Sequence, residues 1–265
     1  MPLVRALADT SALLCGGTAG IGLATARALC RAGVPRIMLV GRDRARGEAA
    51  AASVVEEATA SVDVRFVSAD VTTVGGATAA AEAAATAFGA VDLLVNTGGG
   101  PAGGVGMPTL FHKTPIEEVT VAVDGLLHAV LLPSRAVLPL MMEQGGGTII
   151  NVASDAGKAA TPGESVIGAG MAGIMMFTRG LANEAKRSGV RVNCLTPSIV
   201  RGTPLYDALM AHPFASKLFT KAEAMASLGV VDADDLAGLA CYLASPAAAK
   251  LSGQCISMNG GISAA

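Results

Sequence analysis

The sequence has no tryptophan and only two tyrosines, and aromatic residues fill 3% of its 265 positions. With so few stacking side chains, and 19 basic against 21 acidic residues, it offers neither the aromatic platform nor the basic surface that nucleic acids require. Charge is scarce at 15%, yet 52% of the chain is hydrophobic, a balance that excludes disorder. The five cysteines, at 15, 30, 194, 241 and 255, contain no C-x-x-C pair, so neither a disulfide framework nor a metal site is expected. No run of about twenty apolar residues free of polar breaks stands out, so no membrane span is expected. Asp9 interrupts the opening residues before an apolar signal region develops. No secretory leader is expected, and the cytoplasm is the expected compartment.

What the chain does contain is alternation. Short apolar runs at Ser11–Cys15, Arg36–Val40, Val62–Ser68, Val91–Asn96, Thr148–Ala153, Val190–Leu195 and Gln254–Met258 read as strands covered on both faces. Between them, Ile21–Ala32, Asp43–Thr59, Val74–Phe88, Glu117–Met142, Ser165–Ser188 and Asp232–Leu243 read as helices. Seven strands with crossover helices predict an α/β fold, a doubly wound parallel sheet in three αβα layers. No linker or repeat divides it, so one domain is expected over residues 1–265. The glycine-rich patches at 98–106 and 145–147 read as loops at strand ends. Ligands of such sheets bind at the carboxyl ends of the strands.

The first strand runs into Gly16, Gly20 and Gly22, a G-x-x-x-G-x-G turn that opens a helix. Gly16 permits the tight turn, Gly20 admits a pyrophosphate to the backbone, and Gly22 lets helix and sheet close up. The helix N-terminus then faces the phosphates, with Thr18 and Ile21 on the same turn. After the second strand, Gly41 stands where a ribose-binding acid is expected, and Arg42 follows, placed to meet a 2′-phosphate. The expected cofactor is NADP(H) rather than NAD(H).

From about Asp9 to Gly261 the chain resembles the short-chain dehydrogenase/reductase family, and the implied fold is Rossmann-like. The resemblance rests on that glycine turn, Asp70-Val71, Asn96-Thr-Gly-Gly, Asn151-Val-Ala-Ser154, Arg191-Val-Asn193, the segment Pro197 to Thr203, and the ending Ser252-Gly-Gln to Met258-Asn-Gly-Gly261. It implies that Asp70 and Val71 hold the adenine, and that Asn96, Gly98 and the residues up to Gly99 back the cofactor. Pro197 and Thr203 would flank the nicotinamide, and Ser154 would be the catalytic serine that polarises the substrate carbonyl. Thr97 and Asn259 depart from the usual Asn and Asp.

The family's Tyr and Lys are where the likeness stops. At the usual spacing those positions fall on Ile167 and Met171, and the supporting helix-four Asn falls on Leu126. Tyr206 and Tyr242 lie outside that helix, and neither precedes a Lys by four. General acid–base help is worth about 10²–10⁴ in rate, whereas positioning can supply about 10⁵ M or more in effective molarity. Slow hydride transfer to a small or apolar carbonyl is therefore the leading expectation. A nucleotide-binding protein without turnover, and a redox-neutral isomerase or dehydratase, are the alternatives. Asp155, Lys158 and Glu164 read first as solvated charges, and His112 and Lys113 as surface residues. His128 faces away from the site. Met171, Met175 and Met176 read as helix packing, with a substrate pocket at Ile167 and Met171 the alternative. A small-molecule substrate and a homodimer or homotetramer complete the expectation, with no nucleic acid and no membrane.

Overall fold

The apolar runs become one seven-stranded parallel sheet in the computed structural model, which describes residues 4–98 and 107–264. The strands are β1 (Ser11–Cys15), β2 (Arg36–Gly41), β3 (Asp63–Ser68), β4 (Leu93–Asn96), β5 (Gly147–Val152), β6 (Val190–Thr196) and β7 (Cys255–Ser257). Their order, β3-β2-β1-β4-β5-β6-β7, switches direction between β1 and β4, which opens a crevice beyond their carboxyl ends.

Eight α-helices are described: α1 (Gly20–Arg31), α2 (Arg44–Val55), α3 (Val74–Phe88), α4 (Ile116–Glu143), α5 (Ser165–Ala185), α6 (Pro204–Ala211), α7 (Pro213–Met225) and α8 (Ala233–Ala244). Successive β1 residues point to opposite faces. Leu14 packs with Leu29 of α1, Val54 of α2 and Leu243 of α8. Leu13 packs with Ala84 of α3, Val137 of α4 and Leu181 of α5. The result is the expected three-layer Rossmann-like α/β fold.

The differences from the sequence reading have local causes. Asp43 caps α2 instead of joining it, its carboxylate accepting the Arg46 amide at 2.9 Å, and α2 ends at Val55 rather than at Thr59. α5 stops at Ala185, followed by a 3-10 turn and a left-handed Gly189. Gly147, expected in a loop, begins β5, whereas residues 99–106 of the other glycine patch lie outside the described residues.

α6 and α7 are additions that the apolar runs did not announce. Thr203 accepts the Tyr206 amide at 3.1 Å and His212 Nδ1 accepts the Ala215 amide at 3.2 Å, each followed by a proline at the first helical position. These helices bury Leu209, Ala215 and Phe219 against Ile199, a small apolar unit set beyond β6. Two helices bear on the expectation about long apolar segments without overturning it. α4, and α5 with its 3-10 extension, are each long and apolar enough to cross a membrane by length and composition, though both pack against the sheet.

Candidate functional site

At the switch point the glycine turn is held from three sides. Gly16 donates its amide to Val40 and Thr97 donates its hydroxyl to Cys15, both to carbonyl oxygens, at 3.0 and 2.9 Å. A Cβ on Gly16, which adopts φ +82°, would lie 2.8 Å from the Gly98 nitrogen, and one on Gly22 would lie 2.3 Å from the Gly16 carbonyl oxygen. Val71 reaches Gly98, and Thr203 stands over Gly20. The four segments expected to meet a dinucleotide therefore converge at the N-terminus of α1, with Ile21 in its first turn. A Cβ at Gly16 or Gly22 would clash with the packed turn itself, so glycine keeps the backbone close at the N-terminus of α1, where helix amides favour an anion.

Asn96 and Pro197 are held by hydrogen bonds of their own. Asn96 is fully buried, and its amide nitrogen donates to Ser134 and Asn151 at 3.1 and 2.9 Å. Asn151 in turn donates to Thr178 at 2.9 Å, so a polar rung ties β4, β5, α4 and α5. Pro197 offers its carbonyl to the Asp155 amide at 2.8 Å.

The corner beside β2 is shaped by Thr18. This buried side chain lies against Gly41, where a Cβ would approach it to 2.8 Å. A carboxylate at 41 would collide with it. Arg42 is exposed beside this point, and its carbonyl accepts the Ser68 hydroxyl at 3.1 Å. Asp70 is fixed by Thr72, which donates its hydroxyl at 2.6 Å and its amide at 3.0 Å. Those bonds, with Arg42 nearby, hold the Asp70 carboxyl below its ordinary value against a smaller opposing effect of burial.

Ser154 ends the stretch after β5 and accepts the Ala156 amide at 3.2 Å. The 3-10 turn Asp155–Gly157 that follows lies flush on α5. A Cβ on Gly157 would meet the Ala172 nitrogen at 2.6 Å, and one on Gly168 would meet the Ala156 carbonyl at 2.6 Å. This junction brings Ser154 together with the first two turns of α5, which carry Ile167 and Met171. Met171 packs beside Ile174, Met175 and Cys194 in an apolar cluster. Leu126 lies against Gly170, where a Cβ would come to 2.8 Å, so it fills the α4–α5 contact.

Three charges are not the solvated groups that the sequence suggested. Asp155 is buried, and its carboxylate accepts from the Asn259 amide, from Ser263 at 3.0 Å and from Ser257 at 3.3 Å. An aspartate at 259 would set two carboxylates face to face, so the Asn at this position matches Asp155. Lys158 donates to Ser257 Oγ at 2.8 Å and to the Cys255 carbonyl at 3.0 Å. Glu164, at the head of α5, is half-buried, and burial pushes its carboxyl above the ordinary value against a weaker pull from Thr161. Its turn is closed by Thr109, which donates to the Gly163 carbonyl at 2.7 Å, and by the Phe214 ring against Gly163. His112, Lys113 and His128 are exposed, as expected. No local pattern announced the Asp155 network, because its partners lie about a hundred positions downstream.

The family model for short chain dehydrogenases matches residues 10–213. The 3-oxoacyl-[acyl-carrier-protein] reductase of Synechocystis sp. is 30% identical over 260 residues, 98% of this chain and 99% of that protein. The acetoacetyl-CoA reductase of Acinetobacter sp. is 32% identical over 253 residues, 95% of this chain and 96% of that protein. Among solved structures, a short-chain type dehydrogenase/reductase from Mycobacterium ulcerans gives a TM-score of 0.86 at 24% identity, covering 96% of this chain and 90% of that one. A 7α-hydroxysteroid dehydrogenase complexed with NADH and 7-oxo glycochenodeoxycholic acid gives 0.85 at 24% identity, covering 95% and 93%. The two structures share the fold described above.

Proposed function

Because the chain belongs to the short-chain dehydrogenase/reductase family, we propose that it is an NADP(H)-linked oxidoreductase for a small or apolar carbonyl or its alcohol, working without a tyrosine–lysine pair. The observation that supports this reading is the close-packed turn at Gly16, Gly20 and Gly22, beside a corner where Thr18 excludes an acid from position 41 and Arg42 stands exposed. Arg42 would meet a 2′-phosphate, with Asp70 and Val71 at the adenine and Asn96, Gly98, Pro197 and Thr203 completing the wall. A bound nicotinamide would supply or accept the hydride.

Ser154 Oγ accepts one amide, so its hydroxyl hydrogen is free to donate to a substrate carbonyl. Ile167 and Met171 carry no titratable group. The nearest acid along α5 is Glu164, three residues before Ile167 and therefore on a neighbouring position of the helix surface. Its raised carboxyl holds a proton further up the pH scale, which suits a proton donor. The packing of Met171 into the apolar cluster favours one second reading, a nucleotide-binding protein without turnover. The proposed molecule is soluble, cytoplasmic and homo-oligomeric, with one dinucleotide-binding domain.

The first test is a titration of the purified protein with NADPH and with NADH, followed by nicotinamide fluorescence. Binding should favour NADPH, and Arg42→Ala should reduce that preference about tenfold or more, the value of one charge-assisted contact. Equal binding of both cofactors before and after the change would remove Arg42 from the site, and no binding of either would overturn the proposal. Since relatives are named as reductases of 3-oxoacyl and acetoacetyl groups, ketones with acyl tails come first in a substrate panel. Turnover at the solvent rate throughout, with NADPH bound, would select the second reading.

A further inference from the structure

We propose that Cys194 and Cys255 form a reversible dithiol–disulfide pair, in which Cys255 reacts first with a hydroperoxide and Cys194 resolves it. The two residues are direct partners in the parallel register of β6 and β7. Neighbouring strands lie about 4.8 Å apart, inside the Cα separation of roughly 4.4–6.8 Å that a disulfide spans. Both side chains lie on the same face of the sheet, in the apolar cluster with Met175 and Ile174. The Cys255 thiol lies 3.8 Å from the Met175 carbonyl and the Cys194 thiol 3.5 Å from the Leu195 carbonyl, and the strand register sets the two sulfurs side by side.

The pair is asymmetric in a way that assigns roles. Cys194 is fully buried and Cys255 is half-buried. Arg179 and Lys158 stand close enough to Cys255 to favour its thiolate. Arg179 also lines a groove of about 360 Å³ with Asn183, Lys186, Ser252 and Gln254, the residue before Cys255. Arg179 and Lys186 give that groove a cationic lining that ends one position short of Cys255, whose own side chain is only partly buried. The Cys194 contact first, then these two cations, bring the Cys255 thiol down to about 7, whereas burial drives Cys15 up to about 12 and Cys241 to about 11. At neutral pH the gain in thiolate outweighs the loss in intrinsic nucleophilicity, so Cys255 should react faster than an unperturbed thiol.

The chemistry balances with hydrogen peroxide as oxidant. The Cys255 thiolate attacks one peroxide oxygen, an S–O bond forms and the O–O bond breaks. The departing hydroxide takes a proton and leaves as water, and Cys255 becomes a sulfenic acid. Cys194 sulfur then displaces the sulfenic hydroxyl, forming the S–S bond. The displaced hydroxide leaves with the Cys194 thiol proton as a second water. The two sulfurs together lose two electrons and the peroxide gains them. The bond would join β7 to β6 next to Lys158 and Ser257, within the hydrogen-bond network that holds the turn after Ser154.

The test treats the reduced, full-length protein with hydrogen peroxide, blocks remaining thiols with iodoacetamide after unfolding, and maps the peptides by mass spectrometry. The expected product is a crosslink between the peptides carrying Cys194 and Cys255, reversed by dithiothreitol. Cys194→Ser should leave Cys255 as a sulfenic acid that dimedone traps, and Cys255→Ser should abolish the crosslink. Oxidation of Cys241 or Cys30 ahead of Cys255, or an oxidised Cys255 beside a Cys194 that still alkylates, would overturn the proposal. The wild-type map decides it even if a serine variant does not fold.

Discussion

Glu164 shows what a carboxyl at the edge of a cleft costs and what it offers. The unfolded chain releases this proton at an ordinary value, about 4.5, whereas burial in the folded state keeps it bound to a higher pH. Between those two values the native state holds more protons than the unfolded one, so stability falls as pH rises through the window. Above it the penalty is fully present, and below the ordinary value it vanishes. Glu164→Gln should therefore raise the melting temperature by roughly 2 °C near pH 8, with the gain fading as the pH drops towards 4.5. Thermal unfolding at both ends of that range checks it, and an equal effect at both would show that burial of the charge is not the cause. The same variant should slow carbonyl reduction if Glu164 supplies the proton, and that loss cannot come from instability because the variant is the more stable form.

At the scale of the element, α5 contains glycines with opposite meanings. At Gly168 an added Cβ meets the Ala156 carbonyl at 2.6 Å, whereas at Gly180 it meets nothing within 4 Å. Gly168→Ala should destabilise by about 1–3 kcal/mol, the usual cost of overpacking, and weaken any activity that depends on Ser154. Gly180→Ala should stabilise by up to about 1 kcal/mol, because it replaces a flexible helical residue with a better helix former. Urea midpoints of the two variants should move in opposite directions, and a shift of both the same way would mean that the turn does not bear on α5. Contrasts of this kind mark the boundary of what the sequence discloses. Unbroken apolar runs such as Leu13-Leu14 and Ile149-Ile150 show a strand covered twice, and Gly16 to Gly22 are legible because turn and helix start are local. Asp155 and Lys158 are not legible, since their burial depends on Ser257, Asn259 and Ser263. α6 and α7 escape notice because short amphipathic helices show mainly through their caps, Thr203 and His212, and those residue types are common in loops.

For the whole molecule, the outer faces of α4 and α5 raise the question of what covers them. The most apolar window of each is only 33% buried, and Val121 and Met176 remain 55% and 63% exposed. Apolar surface of that kind commonly marks an association site, and a second copy of this chain is the proposed occupant. Light scattering should give at least a dimer, and Met176→Asp should shift it towards monomer while NADPH binding persists. A wild-type monomer would remove the oligomer from the proposal. The network at Asp155 also has a consequence for biosynthesis. Its partners Ser257 and Ser263 lie 102 and 108 positions further along the chain, and closing so long a loop contributes a late, entropically costly step. During translation the turn after Ser154 keeps a bare carboxylate until β7 is made, and the layer over β1 also waits for Leu243 of α8. A nascent chain should therefore gain its cofactor site and its candidate chemical centre together.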